Sequence, residues 1–156
     1  MTVVIRHKIR NRLREALLYG GGLRVDEALT RAEDNVRELA GDCEAAIRSA
    51  IAAIDAQFGR AAANRDDRSP LELYDRVLGI IDASAALDGD ALPKAARSLC
   101  DLLDHCADHG WDWPAVDVHI NALRLLGCEP DLPPEAATQL LENLDALRRH
   151  RGVAGV

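Results

Sequence analysis

Residues 73–103, LYDRVLGIIDASAALDGDALPKAARSLCDLL, decide the fold of this chain. On both sides of Asp88-Gly89-Asp90, apolar residues recur at steps of three and four, which is the spacing of one face of an α-helix. The Asp-Gly pair favours a tight turn between the two segments. The stretch therefore predicts two amphipathic helices joined by a short connection, with Asp90 capping the second helix.

Capping signals outside this hairpin predict further helices. Ser69 can cap the first hairpin helix, because Pro70 suits the first helical position and Glu72 completes a capping box. Residues 59–68 before it read as a polar linker. Downstream, a third helix begins at Trp113-Pro114 and is expected to close at Gly127. A rigid connector, 130–134, then leads to a last helix that ends near residue 150.

One long helix is predicted ahead of the hairpin, over residues 26–58, with Asp26 as its cap. Its apolar residues follow steps of three and four without interruption, so they form one stripe. A helix of this length extends roughly 50 Å at about 1.5 Å per residue, further than the later helices. We expect it to pack on the bundle along part of its length and on the N-terminal arm or a second copy along the rest.

The N-terminus differs in charge from the rest of the chain. Residues 1–14 contain five basic side chains and no acid, whereas the remaining residues carry a net charge of −12. The sequence therefore predicts a basic arm with a glycine hinge, 1–22, and a single helical domain, 23–156, holding the long helix 26–58 and a bundle 69–150. The acidic body argues against nucleic acid as the main partner.

Composition narrows the class of protein further. Hydrophobic residues make up 48% of the 156 residues but aromatic residues only 3%, so the core must consist of small and aliphatic side chains. Such a composition favours an all-α fold. The sequence contains neither an apolar run long enough to insert in a membrane nor a signal peptide, which predicts a cytoplasmic protein with reduced cysteines.

The hairpin resembles the helix pair that carries the phosphorylated histidine in histidine-phosphotransfer (HPt) domains. The resemblance implies an HPt-like up-down helical bundle. Aligning the family's turn and second helix on residues 88–99 places the family's histidine at Leu78 and its following glycine at Asp82. Leucine offers no nucleophile, whereas a neutral imidazole does. The small residues 84–86 keep the family's character beside this position.

A narrower resemblance covers most of the chain. Residues 6–15, 26–29, 95–103 and 111–126 are similar to the CheE group of alphaproteobacterial chemotaxis accessory proteins. This resemblance implies a role in chemotaxis or two-component signalling. It leaves the biochemistry of that role undefined.

The sequence offers few residues for catalysis or metal binding. His119 is an alternative phosphoacceptor, which would make the chain a true phosphotransfer protein. His105, Cys106 and His109 are close in sequence, but tetrahedral zinc needs about four ligands. We expect no metal, no cofactor and no enzymatic activity.

The leading hypothesis is a non-catalytic signalling adaptor that binds a receiver domain or a chemotaxis kinase. Its docking surface is expected around Leu78, Asp82, Lys94 and Arg97, on the two hairpin helices. Two tryptophans in an aromatic-poor chain, Trp111 and Trp113, are added as partner-binding candidates, since tryptophan is enriched at binding hot spots. A structural homodimer held by the long helix is a further alternative.

Overall fold

The computed structural model describes residues 24–87, 89–129 and 132–153, and this part of the chain contains five α-helices and no strand. The helices are α1 (Val25–Phe58), α2 (Pro70–Ser84), α3 (Ala91–His109), α4 (Trp113–Cys128) and α5 (Pro134–His150), with a 3-10 turn at Arg65–Asp67. The predicted all-α helical bundle is confirmed. The predicted basic arm and glycine hinge, 1–22, lie outside the described residues.

By its internal contacts the chain divides into two units, Met1–Val36 and Arg37–Val156, with the division inside α1. The described part of the first unit is residues 24–36, which hold the first turns of α1. The second unit holds the rest of α1 and helices α2 to α5. The division comes later in the chain than the glycine hinge, where the sequence predicts the boundary.

Helix α3 is the centre of the second unit, since it packs on α2, α4 and α5. Nine of its nineteen residues are buried, and they form a wide apolar face. From α1 the core receives Ile47, Ile51, Ile54 and Phe58, which are 0 to 2% exposed. Each such side chain contributes about 1.5–3 kcal/mol to the stability of the fold when it is fully buried.

The helix starts follow the capping rules in some places and depart from them in others. Ser69 caps α2 as predicted, since its hydroxyl accepts a hydrogen bond from Leu71 N at 3.2 Å, and Pro70 is the first helical residue. The cap predicted at Asp26 is wrong, because Asp26 lies inside the first turn of α1. Asp90 occupies the N-cap position of α3 as predicted, but its side chain makes no capping bond, because its carboxylate binds the Lys94 ammonium instead.

Gly127 does not close α4, which continues to Cys128. A methyl group at this position would lie 2.4 Å from Ile51 Cδ1, closer than carbon atoms can approach. The glycine therefore serves the packing of α4 against α1. Its role is a close approach between two helices, which a reading of local sequence cannot distinguish from a helix stop.

The predicted polar linker 59–68 is in fact attached to the bundle. Gly59 is buried, and the carbonyl of Arg68 accepts a hydrogen bond from Trp111 Nε1 at 3.0 Å. Arg65 forms an ion pair with Asp117 of α4. No helix in the described residues has both the length and the apolar character needed to cross a bilayer.

Candidate docking surface on helices α2 and α3

Leu78 lies halfway along α2 with 39% of its surface exposed. Its neighbours Val77 and Ile80 are fully buried, which fixes the rotation of the helix and turns Leu78 outward. Asp82 follows one turn later, is exposed, and forms no ion pair within the described residues. The position that the HPt resemblance assigns to the phosphoacceptor thus holds a partly exposed leucine.

Lys94 and Arg97 lie one turn apart on the exposed side of α3. The Lys94 ammonium forms an ion pair with Asp90, and the hydrogen bond between them holds the pKa of the Asp90 carboxyl below its usual range. Arg97 has no ion-pair partner in the described part of the chain. It is therefore the cation on this surface that is available to an incoming anionic group.

The electrostatics of Tyr74 show how the exposed sides of α2 and α3 are related. The electrostatic influence of the Cys100 side chain, followed by the charge of Asp104, by burial and by the charge of Asp101, raises the pKa of the Tyr74 phenol. Because Leu78 lies one turn after Tyr74, and Arg97 one turn before Asp101, the two residues belong to the same pair of packed helices. Leu78 and Arg97 are thus both exposed, on two helices that pack against each other.

A groove of about 620 Å³ lies along the surface between the packed helices α3 and α5. Lys94, Arg97, Ser98 and Asp101 line one side, and α5 contributes apolar residues such as Leu141 on the other. Local sequence reasoning missed the contribution of α5, because nothing in the hairpin indicates which later helix packs beside it. The acidic residues in the lining outnumber the basic ones, so the groove as a whole is not a phosphate site.

Arg148 holds the inner wall of this groove. Its guanidinium forms ion pairs with Asp101 of α3 and with Asp145 of α5, the latter at 2.7 Å. The Nε atom of Arg148 is buried without a hydrogen-bond partner among the described residues. The side chain therefore ties α5 to α3 and is not available as a binding residue.

Trp111 and Trp113 lie at the opposite end of α3 from Lys94, so they do not form one surface with the other predicted residues. Their rings stack on each other with centroids 4.2 Å apart. Trp111 also contacts Phe58, and the guanidinium of Arg65 lies 4.4 Å from the centre of the Trp113 ring. Both tryptophans are half-buried and close this end of the bundle.

His119 is fully buried between α4 and α3. Its Nδ1 donates to the carbonyl of Ala115 at 2.8 Å, and a carbonyl can only accept, so the ring proton lies on Nδ1. The hydroxyl of Ser98 then donates to Nε2 at 3.0 Å. Burial is the main reason that the pKa of His119 is lowered. With both nitrogens hydrogen-bonded inside the core, this imidazole is not accessible to a phosphoryl donor.

The other reactive side chains do not assemble into a site. His105 and His109 stack at the end of α3, and no group of three metal-ligating side chains occurs among the described residues. Burial raises the pKa of the Cys100 thiol to about 11, which keeps it protonated and inert at neutral pH.

No family model, curated protein or solved structure matches this chain.

Proposed function

We propose that this chain is a non-catalytic signalling adaptor that binds a receiver domain or a kinase component of a bacterial chemotaxis system. The observation that supports the proposal most directly is the partly exposed Leu78 at the middle of α2. An apolar side chain at this position can pack against a partner helix but cannot accept a phosphoryl group.

The charges around Leu78 indicate how such a partner would be oriented. Arg97, which forms no ion pair within the described residues, supplies a cation on the helix that packs against α2, and this suits the acidic pocket of a receiver domain. Asp82 and Asp101 carry the opposite sign, so the electrostatic match is partial. We therefore propose that Leu78 contributes most of the affinity, and that Arg97 contributes to the association rate and to its dependence on salt.

The test is a binding titration of the full chain against purified receiver domains and the chemotaxis kinase of the source bacterium, by calorimetry or anisotropy of a labelled partner. Leu78→Asp should weaken binding at least tenfold, because it places a charge in an apolar contact. Leu125→Asp is the matched control, since Leu125 is 41% exposed, close to the 39% of Leu78, but lies on α4, outside the α2–α3 pair.

A second pair of variants tests the electrostatic part. Arg97→Glu should reduce the association rate at low salt, whereas Arg124→Glu, an equal change of charge on the exposed side of α4, should leave it near the parent value. Equal loss in Leu78→Asp and Leu125→Asp, or binding unchanged in both, would refute the proposed surface. Transfer of a phosphoryl label to the chain from a phosphorylated receiver would refute the non-catalytic part of the proposal.

A further inference from the structure

The first turns of α1 carry an apolar stripe that nothing in the described residues covers. Val25, Leu29 and Val36 are 73%, 58% and 54% exposed, and Ala32 lies between them on the same side. The spacing of 4, 3 and 4 residues is that of a seam for a second helix. Exposing three large apolar side chains in one row is unfavourable, which indicates that something covers them.

Acidic residues border this stripe along one edge. Asp26 and Glu33 follow Val25 and Ala32 by one residue each, so they lie on the same side of the helix next to the stripe. Neither forms an ion pair within the described residues. Glu27, which points away from the stripe, is already paired with Arg31 at 2.8 Å. The described residues provide no ion-pair partner for this acidic edge, so a segment that covers the stripe should be both apolar and basic.

We propose that the chain's own N-terminal segment, residues 5–17, covers this stripe. In sequence the segment has the required chemistry, since an apolar residue recurs every four positions at Ile5, Ile9, Leu13 and Leu17, and five basic residues and no acid lie among residues 1–14. This inference is independent of the proposed function.

The spacing about Gly21 supports this occupant over a second copy of α1. Leu17 and Val25 are both four residues from Gly21, and Leu13 and Leu29 are both eight residues from it. Ile9 and Ala32 are twelve and eleven residues away, and Ile5 and Val36 sixteen and fifteen. If the chain reverses at residues 20–22, the four apolar residues of the N-terminal segment face the four apolar residues of the stripe. Three glycines are enough for an antiparallel helix–helix connection. Two antiparallel copies of α1 would instead place their acidic edges together.

The test is cross-linking in the full chain with Cys43→Ser and Cys128→Ser, which removes the more accessible native thiols. Leu13→Cys with Leu29→Cys should react with a short bismaleimide within one chain, at a rate that does not depend on protein concentration. Leu13→Cys with Arg31→Cys is the control, because position 31 is on the other side of α1 at almost the same distance along the chain. Loss of Arg31 makes α1 more acidic and so cannot weaken its attraction for a basic segment.

We expect the first pair to react at least tenfold faster than the control pair. Equal rates would mean that residue 13 has no preferred position on α1 and would overturn the proposal. Cross-linking between chains by Leu29→Cys alone would assign the stripe to a second copy and would also overturn it.

A charge test uses the same readout. Asp26→Asn with Glu33→Gln should slow the Leu13–Leu29 cross-link several-fold at low salt, while Glu27→Gln with Asp34→Asn, the same charge change on the other side of α1, should slow it much less. If both pairs of substitutions slow the cross-link equally, Asp26 and Glu33 do not attract the N-terminal segment to the stripe.

Discussion

Arg65 and Asp117 form an ion pair, with 2.8 Å between Nη1 and Oδ1, that joins the segment after α1 to the second turn of α4. Both side chains are largely buried, and Arg60 approaches the other carboxylate oxygen at 3.6 Å from a fully solvated position. The pair matters for the bundle because Arg65 also lies over the ring of Trp113. The Asp117 carboxylate thus holds in place both the segment after α1, through Arg65, and the stacked rings of Trp111 and Trp113.

Asp117→Asn should destabilise the protein by about 2–4 kcal/mol, since removing one partner leaves the other charge without compensation in a poorly solvated site. Urea unfolding monitored by circular dichroism measures the change. Asp108→Asn provides the control, because Asp108 is exposed on α3 and forms no ion pair within the described residues. The prediction fails if the two variants lose the same amount of stability.

Two glycines in helices should respond in opposite directions to the same substitution. Gly127→Ala places a methyl group against Ile51 Cδ1 and should cost about 1–3 kcal/mol of stability. Gly79→Ala has open space around the new methyl group and should gain about 0.5–1 kcal/mol, because alanine is the better helix former. Thermal or urea unfolding of both variants checks the prediction, which a stabilising Gly127→Ala would contradict.

The stability of the bundle should fall as the pH decreases through the range in which a histidine in the unfolded chain becomes protonated. Burial lowers the pKa of His119 in the folded state, so above its unfolded pKa of about 6.5 both states are neutral and nothing is lost. Below that pH the unfolded state binds a proton that the folded state excludes, and stability decreases until the folded pKa is reached.

The measurement is the free energy of unfolding between pH 7.5 and about pH 5.5, where most carboxylates remain ionised. The slope approaches about 1.4 kcal/mol per pH unit for one such group, and His119→Gln should flatten it. His109→Gln is the control, since His109 is exposed at the end of α3. An unchanged slope in His119→Gln would show that another group causes the loss.

The four cysteines should separate into two classes in their reaction with a thiol reagent. Cys128 is exposed and Cys43 half-buried, so both should react in the native protein. Cys100 and Cys106 are buried with raised pKa values, which leaves almost no thiolate at neutral pH, and they should react only after unfolding. The measurement is the number of thiols that react quickly, first in the native protein and then in denaturant. We expect two in the native protein and all four after unfolding.

The features that sequence reasoning predicted well are local ones. Ser69 and Pro70 define the start of α2 because capping depends on the residues next to it. Gly127 was misjudged because a glycine that ends a helix and one that admits a neighbouring side chain look alike in a single sequence. The role of α5 in the groove depends on tertiary packing, which helical periodicity does not encode.

The attachment of residues 59–68 was missed for a related reason. The segment is polar, as linkers are. However, Arg65 pairs with Asp117, more than fifty residues later, and the Arg68 carbonyl accepts a hydrogen bond from Trp111. Asp117 itself lies on a helix whose buried side is otherwise mostly apolar. A lone acid on such a face is a sign that a basic residue elsewhere in the chain must reach it.

Both tryptophans of the chain occupy the end of the bundle at Gly110, whereas Lys94 and Arg97 occupy the other end of α3, roughly 20 Å away at about 1.5 Å per residue. Intrinsic fluorescence of this protein is therefore a selective optical probe. It will report loosening of the connector around Arg65 with high sensitivity, yet remain silent when a ligand engages the distant helical pair. Titrations that rely on tryptophan emission would record no signal for an interaction that takes place, and an extrinsic dye near residue 97 is the appropriate reporter.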